Sequence, residues 1–151
     1  MDGMNHDDAT RADTWTVAGR QFQSRLIVGT GKYPSMEVMQ AAHETSGAHM
    51  VTVAIRRINL DDRQGRTMLD YIDRERYVIL PNTAGCHTAN DAVRTLRLAR
   101  EAGGWNLVKL EVLGPPPHLY PDMAATLEAA AALIADGFEV MVYCEIGRAH
   151  V

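Results

Sequence analysis

The chain has 151 residues, 46% apolar and 23% charged, with a formal charge of −4 and a pI near 5.8. Those values suit one soluble domain with a buried core and leave no basic footprint for nucleic acid or an anionic membrane surface. Two cysteines, Cys86 and Cys144, are too few for a disulfide scaffold, and no stretch reaches the ~20 apolar residues of a membrane span.

Residues 1–14 are polar and unpatterned, with neither a basic n-region nor an apolar h-region, and are expected to form a disordered leader. A cytoplasmic location is the default. Trp15–Val17 and Gln21–Gln23 read as a short hairpin around Gly19. From there one pattern repeats: a short apolar run, a loop, then a helical stretch. Leu26–Val28 is the first run and leads into Gly29-Thr30-Gly31-Lys32. Ser35 is placed to cap a helix with Met36, Met39, Ala42 and His43 on its inner face, stopping at Gly47.

The second run is Met50–Ile55, followed by a polar loop and a short helical piece near residues 67–74. The third, Tyr77–Leu80, closes on Pro81-Asn82-Thr83-Ala84-Gly85. Thr88 caps a helix with Ala92, Val93, Leu96 and Ala99 inward and Arg94, Arg97 and Glu101 outward. Leu107–Val112 is the fourth run, Asp122 caps a helix over Met123–Ala135, and Val140–Tyr143 is the fifth. Strand signals alternating with helices predict parallel βαβ units. Periodicity alone leaves a doubly wound sheet and a (β/α)₈ TIM barrel open. An eight-unit barrel takes ~250 residues, so this chain holds only about the first five units of one. Residues 145–151, Glu-Ile-Gly-Arg-Ala-His-Val, break the pattern just after a strand. They resemble the in-frame translation of a sequencing-adapter oligonucleotide and are expected to be a non-native tail.

Lys32 and Lys109 are the only lysines. Lys109 interrupts an apolar strand, and period-two alternation puts Leu107, Lys109 and Glu111 on one face and Val108, Leu110 and Val112 on the other. In a barrel the apolar face packs on the helices, so Lys109 and Glu111 point into the lumen, with Glu111 nearer the catalytic carboxyl rim. Burial disfavours an ammonium, and a neutral amine attacks ketones, while a carboxylate two residues along can pair with it or move protons. A purely structural Lys–Glu pair fits the same pattern.

Asn82 and Thr83 lie at the same rim and could bind substrate polar groups, or simply cap and turn. Gly29-Thr30-Gly31 lacks the third glycine of a dinucleotide fingerprint. Cys86-His87 lacks further ligands at metal spacing, so no metal is expected. Cys144 has no apparent base and is expected to be a buried structural thiol. Met36 and Met39 read as core.

The chain resembles thiazole synthases from Trp15 to Cys144. The resemblance rests on Leu26–Tyr33, Val51–Arg57, Leu80–Gly85, Leu107–Val112 and Val142–Cys144, in that order. It implies a TIM barrel that builds the thiazole phosphate moiety of thiamine without organic cofactor or metal. A strand lysine, matching Lys109, forms an imine with 1-deoxy-D-xylulose 5-phosphate, and a nearby acid–base glutamate matches Glu111. Sulfur comes from the thiocarboxylate of a small sulfur-carrier protein, and dehydroglycine from a separate supplying enzyme. Homo-oligomers are implied. A second acid and the phosphate-binding loops of that family match nothing in this chain. An aldolase-type imine enzyme acting on a phosphosugar, or a non-catalytic sulfur-carrier docking scaffold, are the alternatives.

Overall fold

The computed structural model of the chain describes residues 13–58 and 66–146. Most of the expected leader and adapter-like tail lie outside the described residues. The hairpin forms first: β1 (Trp15–Val17) pairs antiparallel with β2 (Arg20–Phe22). Its turn is Ala18-Gly19, with φ of 51° and 68°, the left-handed pair whose twist matches that of the strands. So short a turn leaves Arg20 to pair with Val17, and β2 begins one residue before the run expected from the sequence.

Five strands make one parallel sheet in chain order: β3 (Ile27–Gly29), β4 (Met50–Ala54), β5 (Val78–Asn82), β6 (Leu107–Leu110) and β7 (Glu139–Val142). The crossovers carry α1 (Met36–Ser46), α2 (Ala89–Gly103) and α3 (Met123–Ala135). Between β4 and β5 the described residues hold only two short 3-10 turns, Ile55–Arg57 and Met68–Tyr71. Each helix starts where a side chain takes up an orphan backbone donor: Ser35 accepts from Val38, Thr88 from Asp91 and Asp122 from Ala125. The first two helices stop at Gly47 and Gly104, which adopt φ of 65° and 70°.

The two faces of the sheet are covered differently. Val51, Val53 and Ile79 meet Met39 of α1, and Val108, Leu110 and Val112 meet Ala92 and Leu96 of α2 and Ala129 and Leu133 of α3. On the opposite face Met50, Leu80 and Leu107 pack under Phe22 of the hairpin, near the amino ends of the strands. A doubly wound sheet reverses its strand order and carries helices on both faces. Here the order never reverses and, among the described residues, the helices share one face and none covers the carboxyl half of the other. The Arg97 guanidinium donates to Asp136 at 2.7 Å, tying α2 to the turn after α3. That hydrogen bond holds the Asp136 carboxyl below the usual carboxylate range. Among the described residues no helix is long and apolar enough to cross a membrane.

Several expectations need correcting. Met39 is fully buried, but Met36, at the first position of α1, is 41% exposed; the apolar spacing marks the phase of a stripe and not where its cover ends. Cys144 is exposed rather than buried, because it lies past β7 with nothing packed on it among the described residues. β5 runs on through Pro81 and Asn82, residues expected to begin a loop. Pro81 has no N–H to give, and the β5–β6 ladder is correspondingly sparse, with the single pair Asn82↔Lys109. β6 ends at Leu110, two residues short of expectation, where its pairing with β7 also ends at Leu110↔Val142.

Candidate active site

Lys109 and Glu111 project from the face opposite the helices, as strand parity requires once Val108, Leu110 and Val112 are committed to the core. The Lys109 ammonium lies 2.9 Å from a Glu111 carboxylate oxygen, and the two side chains are 33% and 15% exposed. Leu107, next on the same face toward the amino end, is buried beneath the hairpin. The face therefore grades along β6 from apolar floor to half-buried cation to a carboxylate just beyond the strand. A solvated surface pair would be worth little, but one this enclosed is less screened and holds its geometry better. Chemically it offers an amine nucleophile with a base in contact.

Thr83 explains how Glu111 is held. Its fully buried hydroxyl accepts from the Glu111 N–H at 2.7 Å and donates to the Glu111 carbonyl at 2.8 Å. A side chain thus takes over the sheet ladder where β6 ends. The donor and one of the two acceptor lone pairs of that oxygen are thus spent on placing Glu111's backbone. Thr83→Val keeps the volume and removes the bridge. We expect it to cost about 1–3 kcal/mol, the penalty of orphaning buried backbone groups, in a denaturant titration.

Asn82 stands beside Lys109 in register and is 6% exposed. Its amide nitrogen donates to Thr52 Oγ1 at 2.7 Å, and its oxygen accepts from the Ala84 N–H at 3.1 Å. The Thr52 hydroxyl in turn donates to Leu80's carbonyl at 2.9 Å, and Thr30 donates to Thr52's carbonyl at 3.4 Å. A polar layer therefore crosses β3, β4 and β5 at the level of Lys109. It borders a cavity of about 180 Å³ whose lining includes Gly29, Gly31, Thr52, Arg57 and Asn82. The glycine loop after β3 is held from behind by His43, whose Nε2 meets the Gly29 carbonyl at 2.9 Å from a fully buried position on α1.

The sequence reading assigned no role to Thr30, Thr52, Arg57 or His43. For Thr52 the signal was available: it is a polar residue on an apolar strand, on the parity opposite its core residues Val51 and Val53, as Lys109 is opposite Val108 and Leu110. His43 was read only as part of an apolar stripe, and no local pattern ties it to a carbonyl fourteen residues away. His87 Nδ1 contacts the Leu113 and Gly114 carbonyls, both at 3.2 Å, while Cys86 is buried in the core. Among the described residues no group of three His, Cys, Asp or Glu side chains could hold a metal ion.

The fold and site define a singly wound parallel α/β domain that presents a lysine–glutamate pair at the carboxyl ends of its strands. Residues 16–148 match the family model described as thiazole biosynthesis protein ThiG, and the chain belongs to that family. It is 64% identical over 134 residues to the thiazole synthase of Paramagnetospirillum magneticum, covering 89% of this chain and 41% of the relative. It is 63% identical over 144 residues to that of Phenylobacterium zucineum, covering 95% and 53%. The chain thus spans about half the length of the curated relatives it matches. A crystal structure of the Amycolatopsis orientalis BexX/CysO complex shares the fold, with a TM-score of 0.68 at 24% identity, over 85% of this chain and 52% of that one.

Proposed function

We propose that this chain is the lysine-bearing half of a thiazole synthase, a (β/α)₈ barrel enzyme that forms the thiazole phosphate moiety of thiamine. The observation that carries the reading is the Lys109–Glu111 contact at the carboxyl ends of the strands, in a chain about 60% identical to thiazole synthases. Sequential strand order with helices on one face is the arrangement that further units would continue into a closed barrel. In this reading the Lys109 amine attacks the ketone of 1-deoxy-D-xylulose 5-phosphate and water leaves, giving an iminium. The iminium draws electrons from the neighbouring C–H, and Glu111 accepts that proton. Asn82, in register with Lys109, binds a polar group of one of the substrates. Sulfur arrives on a thiocarboxylated carrier protein and the remaining carbon and nitrogen as dehydroglycine, in a cytoplasmic homo-oligomer. The phosphate is held by loops beyond this chain, since barrel phosphate sites usually follow strands seven and eight.

The test uses this chain continued by the C-terminal half of the Phenylobacterium zucineum relative, hereafter the completed enzyme. With ketose phosphate, glyoxylate plus ammonium, and thiocarboxylated carrier, thiazole phosphate is expected by mass spectrometry. Omitting the carrier should abolish it. Carrier-independent cleavage of the phosphosugar would replace this reading with an aldolase.

A further inference from the structure

The cavity over β3, β4 and β5 is not needed to explain the lysine–glutamate pair, yet its largely apolar lining carries Thr30, Thr52, Arg57 and Asn82. We propose that it binds the carboxylate of a small two-carbon α-imino or α-oxo acid, through Arg57 and the Asn82 amide. The inference rests on the function proposed above, in which such an acid is the second carbon donor.

Asn82 supplies the first argument. The Thr52 hydroxyl donates to the Leu80 carbonyl, so its oxygen must accept from Asn82, which fixes the amide with nitrogen toward Thr52. An amide nitrogen carries two donors, and only one is used among the described residues. The other belongs to a side chain that is 6% exposed and lines the cavity. A buried donor without an acceptor is costly, and a ligand oxygen relieves that cost.

Arg57 supplies the charge. Arg57 is exposed and lines the same cavity, and its Nη1 lies 3.4 Å from where a Cβ on Gly31 would stand. A planar guanidinium fork matches a carboxylate with two parallel hydrogen bonds. Arg56 is committed elsewhere, donating to the Gly85 carbonyl.

Size and position narrow the ligand. About 180 Å³ is below the ~300 Å³ at which pockets begin to hold drug-sized molecules, and suits a ligand of a few heavy atoms. Asn82 is the register partner of Lys109, and neighbouring strands lie about 4.8 Å apart. A two-carbon acid held here therefore presents its reactive end one strand away from an adduct on Lys109.

In the completed enzyme, Arg57→Ala should raise KM for glyoxylate plus ammonium roughly ten- to a hundredfold, the range of one charge-assisted contact. KM for the ketose phosphate and the borohydride-trapped adduct on Lys109 should not move. Arg57→Lys, which keeps charge and loses the fork, should be only partly rescued. Oxamate, an unreactive two-carbon acid, should bind the parent in titration calorimetry, lose its heat in Arg57→Ala and bind more weakly to Arg57→Lys. Inorganic phosphate is the contrasting probe: if phosphate alone binds here, or Arg57→Ala raises KM for the ketose phosphate instead, the proposal is wrong. Oxamate binding equally well to the variants also overturns it. Loss of the Lys109 adduct in the parent would sink the proposed function alone, because oxamate binding is read without turnover.

Discussion

Lys109→Arg in the completed enzyme is expected to leave no borohydride-trappable adduct with the ketose phosphate and to lower thiazole formation by roughly 10⁴-fold or more. A positioned nucleophile carries an effective molarity on the order of 10⁵–10⁸ M, and no other group in the site replaces it. Arginine is the informative substitution because it keeps a cation 2.9 Å-class contact with Glu111 within reach, but its guanidinium does not give up a proton at working pH and cannot attack a ketone. The ion pair's contribution to folding is therefore largely preserved while the chemistry is removed. Tryptic mapping of the reduced wild-type adduct should place the added mass on Lys109. Mass on Lys32, the other lysine of this chain, or on a lysine of the added C-terminal half, or undiminished turnover in Lys109→Arg, would end the assignment.

Glu111→Gln is expected to lower turnover by about 10²–10⁴-fold, the usual worth of a positioned general base, while the Lys109 adduct still forms. Glutamine retains the size and can still accept a hydrogen bond from Lys109, and the Thr83 bridge to the backbone of residue 111 is untouched. What is lost is the capacity to take a proton from carbon next to the iminium. Solvent deuterium exchange into the trapped adduct reads that step directly: it should be rapid in the parent and slow in the variant. If adduct formation itself fails, Glu111 acts by holding Lys109 and the proton passes to another group.

Much of this protein is written locally. The caps Ser35, Thr88 and Asp122 and the stops Gly47 and Gly104 stand where their side chains or their freedom at positive φ dictate, because capping is a contact among residues within one turn. The two faces of β6 follow from strand parity, which makes Lys109 and Glu111 neighbours before any tertiary contact is known. Local pattern fails where an outcome depends on a distant partner. Leu107–Val112 alternates cleanly to its end, yet β6 stops at Leu110 because Thr83, far away in the chain, takes over the backbone of Glu111.

Likewise, Met36 and Met39 look equivalent in sequence, but Met39 is buried against the sheet and Met36 is not, and Cys144 is exposed among the described residues. The choice between a doubly wound sheet and a singly wound one was also beyond periodicity, since both use the same alternation of strands and helices. It was decided by which strands share hydrogen bonds and by the helices burying their stripes against one face. The sequence by itself determined the elements, their caps and the lysine–glutamate pair, all of which arise from interactions over a few residues. Only the tertiary structure decided strand order, the Thr83 bridge and the gathering of Arg57, Gly31 and Asn82 around one cavity, because those depend on packing between segments that the chain itself keeps apart.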